Sequence, residues 1–424
     1  MVYFEQMKKT HQRTSIVILG GGFAGLAAAL ELERRRASRA FNVTLIDKNC
    51  YHLYHALLYE IATAAVDITE QDLLALQSGV CIRIKALQDI FLKKNIYVLQ
   101  DAVTSIDVTK NRVKVAQGGE VRYDELVVAL GSQSNDFHIP GLAEHSVSLK
   151  ELPDALAIHL RIDQLLRTVR PGEVKKILIG GAGVSGVEVA GELRHYILRL
   201  GREGRLVPQQ FEVHLLEAGP TILPGLSAWA QAQALRRLQS LGVVVTTGRP
   251  IIGVGPRQVI LKDGTTQGFD LLVWSGGIQG HAVLATMGLP LIGKRQIGVS
   301  DALTVPGHDH VSVVGDSMFF LDHATERPVP QVAPAAVAQG RLVARNIVAR
   351  MDGRPLQPYI PVQSGYVFPI GGRWAVSTIG FRASGFVGWM MRKFVDLRYF
   401  FSIVSFRNAF RVWYRGGRAY LRND

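Results

Sequence analysis

Apolar and polar positions sort much of this chain into two copies of one pattern. In "TSIVILGGGFAGLAAALELERRR" a β-branched apolar run meets a glycine cluster and then an alanine-rich apolar stretch. Further along, "EVKKILIGGAGVSGVEVAGELRHYILRL" repeats that order. A short apolar run, a breaker and a longer apolar stretch predict strand, tight turn and helix. Each copy is followed by a second strand-like run ending in an acid, "FNVTLIDKN" at Asp47 and "FEVHLLEAG" at Glu217. After the first copy, "NIYVLQDAVTSIDVTKNRVKVAQGGEVRYDELVVALGS" alternates in short segments, predicting a small antiparallel ribbon that returns to a buried strand from Leu126 to Leu130. No stretch of about 18 uninterrupted apolar residues occurs, so a bilayer-spanning helix is not expected.

The glycines give these units a chemistry. Gly20, Gly22 and Gly25 fit GxGxxG, as do Gly181, Gly183 and Gly186. In each set the first glycine serves the tight turn, the second lets a pyrophosphate approach, and the third lets helix pack on strand. The phosphates would rest on the unpaired amides at the helix start. Asp47 stands at about the usual distance of 20 residues, where a carboxylate accepts from a ribose diol. Glu217 lies further downstream than usual, past the polar insertion "GREGRLVPQQ". Its charge would repel a 2′-phosphate and so favours NAD(H) over NADP(H). The expected fold class is therefore α/β with two Rossmann-like dinucleotide-binding domains.

Charge adds a third element. The formal net charge is +13. From Arg382 onward nine basic residues face only Asp396 and Asp424, which places more than half of that charge in the tail. Read as helix, Phe386, Met390, Phe394, Leu397, Phe401 and Val404 recur at steps of 3 and 4 and share one face. Arg392 and Asp396 lie away from that stripe, while Lys393 and Arg398 sit at its borders, placed to snorkel outward. A basic amphipathic helix of this kind suits the headgroup region of an anionic membrane. Nucleic acid is the weaker reading, because the basic residues are interleaved with an apolar stripe. "MVYFEQMKKTHQRTS" carries no apolar core or small-residue cleavage site, so it does not read as a signal peptide. Cys50 and Cys81 form no CxxC and lack ligand-spaced companions, so no metal site or dithiol centre is expected.

With two dinucleotide motifs in one chain, the sequence resembles the two-domain flavoprotein disulfide-reductase-like superfamily, without its redox-active cysteine pair. Within it, the resemblance to the type II NADH:quinone oxidoreductases runs nearly end to end. It is carried by "DKNCYHLYHALLYEIATAAVD", with Lys48 and His52 beside the acid and Ala56 where the family has proline. "YDELVVALGS" also carries it, with Ala129 and Gly131, as do "DLLVWSGGIQG" around Gly276 and Gly277 and "VSVVGDSMFF" with Asp316. "PQVAPAAVAQGRLVARNI" keeps the second glutamine of the family's motif, Gln339, but has Pro334 and Ala335 in place of its Ala-Gln pair. The resemblance implies FAD at the first motif, with Asp316 on its ribityl chain, and NADH at the second. It implies a quinone beside Gln339 and a tail that docks on the lipid surface at the cytoplasmic face of the inner (plasma) membrane. A homodimer in the respiratory chain, passing electrons without pumping protons, is also implied.

The corresponding domains are 1–150 and 285–355 for FAD, the inserted 151–284 for NADH, and 356–424 as C-terminal amphipathic membrane-docking helices. Glu188, two residues after Gly186, is expected within the first turn of its helix, either as a dipole partner or facing nicotinamide and flavin. Sulfide:quinone oxidoreductase would need cysteines beside the flavin, and the chain has none after Cys81. A ferredoxin or rubredoxin reductase would not require the basic aromatic tail. A non-catalytic NADH-binding flavoprotein would keep the fold without turnover.

Overall fold

The computed structural model describes residues 13–36, 41–63, 81–83, 96–361 and 365–403. Val404 and the basic residues after it lie outside that range. Among the described residues, the α-helices of five residues or more are α1 (Phe23–Arg34), α2 (Leu58–Ala62), α3 (Leu152–Thr168), α4 (Val184–Arg202), α5 (Ala228–Ser240), α6 (Ala333–Met351) and α7 (Phe386–Ile403).

The chain forms two compact units. The first comprises Met1–His52, Ile82–Gln133 and Ile278–Gln363; the second comprises Leu53–Cys81, Ser134–Gly277 and Ser364–Asp424. These cuts differ from the sequence-based ones. Leu53–Cys81 and the C-terminal helix go together with the second unit, because the helix and that segment share buried polar contacts that no sequence period exposes.

In the first unit a six-stranded sheet runs in the order Thr304–Val305, His308–Val313, Glu125–Val128, Thr14–Leu19, Phe41–Asp47, Ile96–Gln100. The first pair is antiparallel and the other neighbours are parallel. Ile16 faces Val43 on one side and Glu125 on the other. Ile16, Val17, Ile18 and Leu19 have no exposed surface, which is why this strand reads as an unbroken apolar run. The returning strand ends at Val128, so Ala129 and Leu130 belong to the turn after it. Helix α6 packs on α1, where a Cβ on Gly340 would run into the Ala24 carbonyl.

The second unit repeats the arrangement. Its five-stranded parallel sheet runs Val147–Ser148, Leu271–Trp274, Lys175–Gly180, Phe211–Leu216, Val244–Thr246. In both sheets the strand before the glycine turn lies between the acid-bearing strand and the returning strand. Each unit also carries a three-stranded antiparallel ribbon, Val103–Arg122 in the first and Ile251–Gly268 in the second. A further ribbon, Val367–Gly385, leads into α7.

Helix α7 is amphipathic in the unusual sense. Phe386, Met390, Phe394 and Phe401 are exposed, Phe394 by 66%, whereas Arg392 is 5% and Asp396 3% exposed. These four residues of the apolar stripe face outward, Leu397 is half-buried, and the charged pair faces the protein.

Candidate active site

The first glycine turn is built so that each glycine answers a different constraint. Gly20 has φ +98, and its amide donates to Ile46 O at 2.8 Å. A Cβ there would strike the Ala129 carbonyl, and one on Gly25 would strike the Gly20 carbonyl. Protein packing therefore requires both. Around Gly22 an added Cβ would meet nothing within 4 Å, so no neighbour among the described residues demands glycine there. Gly22 caps α1 without a side-chain hydrogen bond, and the first turn of α1 has no acid. A helix start of this kind, with backbone amides uncapped by a side chain, is able to receive an anion.

Asp47 holds this turn from the neighbouring strand. Its Oδ2 accepts from Gly21 N at 2.6 Å and its Oδ1 from Asn49 N at 2.7 Å. The fully buried His52 donates from Nδ1 to Gly21 O at 2.8 Å and meets the Phe23 ring edge-on at 5.3 Å. Burial lowers the His52 pKa to about 4, so the ring is neutral. Lys48 lies exposed beside Asp47.

The second turn reproduces the first nearly atom for atom. Gly181 has φ +99, and its amide donates to Leu216 O at 2.8 Å. A Cβ on Gly181 would strike the Gly276 backbone, and one on Gly186 the Gly181 carbonyl. Around Gly183 there is again nothing within 4 Å. Glu217 accepts from Ala182 N at 2.7 Å and from Gly219 N at 2.8 Å. Ser275 Oγ donates to Gly181 O at 2.9 Å, and Gly277 O accepts from Asn135 N at 3.0 Å.

In the first unit, Gly315, Asp316 and Ser317 form one 3-10 turn after the strand His308–Val313. Ser132 donates to Asp316 Oδ2 at 2.5 Å and Ser317 donates to Gly131 O at 3.1 Å. Gln339 is 2% exposed, not a surface residue. Its oxygen accepts from Gly315 N at 2.8 Å and its nitrogen donates to Tyr359 OH at 3.2 Å. Its amide is thus engaged with two protein groups. Ala335 is buried and Pro334 exposed in the first turn of α6.

Glu188 is the fifth residue of α4, whose first turn contains no acid, so the expectation of a first-turn dipole partner is corrected. It is 7% exposed. Burial raises its pKa to about 8, with Arg392 opposing and Glu60 and Asp396 adding to the rise. These neighbours come from α2 and α7 of the same unit. Arg392 pairs with Asp396 at 3.1 Å and donates to Ala56 O at 2.6 Å, and Tyr54 donates to Asp396 at 2.7 Å. Lys393 pairs with Glu60 at 3.5 Å. The Glu60 pKa is also raised, by burial first and against the pull of Lys393.

Lys393 does not snorkel outward as expected, because a buried carboxylate on α2 draws it inward. Tyr54 and Glu60 escaped the sequence reading. The available signal was Arg392 and Asp396 at i, i+4 on the face opposite the phenylalanines, a spacing that makes an ion pair within a helix.

Two glycine turns, each braced by a carboxylate at the end of the adjacent parallel strand, define a dinucleotide-binding α/β protein. Residues 14–340 match the family described as pyridine nucleotide-disulphide oxidoreductase, and the chain belongs to that family. It is 28% identical over 408 residues to the type II NADH:quinone oxidoreductase of Staphylococcus aureus strain NCTC 8325 / PS 47, covering 94% of this chain and 98% of the relative. The protein of that name from Staphylococcus saprophyticus is 27% identical at the same coverage. Among solved structures, NDH2 from Plasmodium falciparum in complex with NADH superposes with a TM-score of 0.83 at 16% identity, over 96% of this chain and 98% of that one. The sulfide:quinone oxidoreductase of Aquifex aeolicus gives 0.74 at 18% identity, over 93% and 92%. These structural likenesses concern the fold.

Proposed function

We propose that this chain is a FAD-dependent NADH:quinone oxidoreductase of the type II class. The observation that carries the reading is the doubled cradle. Gly22 and Gly183 each stand at a helix start where no atom among the described residues explains the missing side chain, and Asp47 and Glu217 each fix the adjacent turn. Bound FAD would supply the redox chemistry, taking a hydride from NADH and passing two electrons to a quinone.

The chain's own residues prepare that exchange. The first unit is assigned to FAD, with Gly20, Gly22, Gly25, Asp47, Lys48, His52, Ala129, Gly131 and Asp316 at the site. The second is assigned to NADH, with Gly181, Gly183, Gly186, Glu217, Gly276 and Gly277. His52, neutral at physiological pH, holds the Gly21 carbonyl while leaving the phosphate side without added charge. Glu217 places a negative charge where a 2′-phosphate would lie. Glu188, retaining its proton up to about pH 8, is the candidate acid on the NADH side.

The outward stripe Phe386, Met390, Phe394 and Phe401 supports docking on a lipid surface. No helix among the described residues is long and apolar enough to cross a membrane. Peripheral attachment at the cytoplasmic face of the inner membrane, a homodimeric state and turnover without proton pumping complete the proposal.

Anaerobic titration tests it. The purified protein should be yellow, bleach on NADH and regain colour with a short-chain quinone. Protein that holds no flavin, or flavin that NADH leaves oxidised, refutes the assignment.

A further inference from the structure

The Gly315–Ser317 turn is held by more side chains than a strand-ending turn needs. Three glutamines from separate segments converge on it. Gln339, on α6, takes the Gly315 amide at 2.8 Å. Gln296 donates to Asp316 O at 3.1 Å and to Met318 O at 2.5 Å. Gln331 donates to the same Asp316 oxygen at 3.1 Å. Ser132, from the segment after the returning strand, grips the Asp316 carboxylate itself at 2.5 Å.

Each choice has a physical cost that a simple turn would avoid. A primary amide buried in a protein is unfavourable unless its oxygen and nitrogen both find partners. Gln339 and Gln296 are buried, yet Gln296 spends its donor on Asp316 and Met318, and Gln339 divides its amide between Gly315 and Tyr359. An apolar residue on α6 would pack against α1 and Tyr359 without that demand. Gly315 sits at φ +68, a conformation open to glycine, so its backbone would otherwise be among the most pliable in the unit. The amide braces remove that freedom at the residue directly before Asp316. A carboxylate has about four acceptor sites, so Asp316 can bind Ser132 and still accept hydroxyl donors from a ligand.

We propose that Gln339 is a positioning residue for Asp316: together with Gln296, Gln331 and Ser132 it braces the acid against the polyol chain of the flavin. Gln339 then governs how tightly the flavin is held, not which quinone is used. The inference rests on the reading of FAD in the first unit.

The test uses the full-length protein with Gln339→Leu, Gln339→Glu and Ser132→Ala. The readouts are flavin-to-protein absorbance after purification, the rate of flavin release followed by fluorescence, and the KM for a short-chain quinone in flavin-saturated enzyme. Gln339→Leu removes both hydrogen bonds and should release flavin roughly ten- to a hundredfold faster, with the quinone KM unchanged. Gln339→Glu keeps an oxygen for the Gly315 amide, and Tyr359 can turn its hydroxyl to donate, so release should return towards the parent rate. Ser132→Ala leaves the helix packing untouched and should speed release on its own, which covers the case of a Gln339→Leu protein that fails to fold. Parent-like release in Gln339→Leu and Ser132→Ala overturns the inference. So does a severalfold rise in quinone KM without faster release. Absence of flavin from the parent would show in the first measurement and would sink the functional reading together with this one.

Discussion

The hydroxyl of Tyr54 donates to a carboxylate oxygen of Asp396 at 2.7 Å, joining positions 342 residues apart. Through it α7 is tied to the segment that begins at Leu53 in the same unit. Tyr54 also stacks on Tyr399 with ring centroids 4.9 Å apart. The face that α7 turns to the protein is thus polar at Arg392 and Asp396 and aromatic one turn later.

Removing one partner of a buried, hydrogen-bonded ion pair strands the other charge. Asp396→Ala should therefore destabilise the protein by about 3–5 kcal/mol, because Arg392 remains buried without its carboxylate. Tyr54→Phe, which removes only a hydroxyl, should cost about 1–2 kcal/mol. Chemical denaturation of the two variants checks the ratio.

Deletion from Phe386 onward would remove more than the proposed docking stripe. It would uncover Tyr54 and Glu60, so we expect loss of folding in the second unit rather than clean release from lipid. A triple substitution of Phe386, Met390 and Phe394 to serine acts on exposed side chains only. It should leave the melting temperature and flavin content near parent values while lowering binding to anionic vesicles at least tenfold, read by co-sedimentation. Undiminished co-sedimentation would count against docking through this stripe.

Glu188 makes stability depend on pH. Its folded pKa of about 8 lies above the ordinary carboxyl value, so between roughly pH 4.5 and 8 the folded state holds a proton that the unfolded state has lost. Its contribution is present at low pH and is lost as pH rises to about 8. Glu188→Gln does not titrate. The variant should match the parent near pH 5 and exceed it in melting temperature at pH 8. Turnover with NADH should in turn lose its alkaline limb near pH 8 in the variant. Parallel profiles for parent and variant would remove Glu188 as the titrating group.

Glu217 carries both geometry and charge, which Glu217→Gln separates. The amide oxygen still accepts one of the Ala182 and Gly219 bonds, while the negative charge disappears. The ratio of kcat/KM for NADPH over NADH should rise by about tenfold, with most of the change in the NADPH KM.

The two glycine turns were legible because their constraints are local. A strand followed by φ-positive glycine and a helix start needs few residues, and these must be adjacent in the chain, so the spacing of Gly20, Gly25, Gly181 and Gly186 already states the geometry. The acids at Asp47 and Glu217 were equally visible, since each ends the next parallel strand. The outward stripe of α7 followed from its 3.6-residue period. Its inner face did not, because a period says which residues lie together and not what they lie against.

Sequence alone determined the doubled α/β plan, the two glycine turns with their acids and the apolar stripe of α7, all of them properties of contiguous segments and the backbone geometry they allow. Tertiary structure decided that Arg392, Lys393 and Asp396 point inward to Tyr54, Ala56 and Glu60, that Glu188 lies among them, and that Gln339 is committed to Gly315 and Tyr359. The reason is desolvation: a charge or amide is stable in the interior only where partners from distant segments converge on it, and that convergence exists only once the chain has folded.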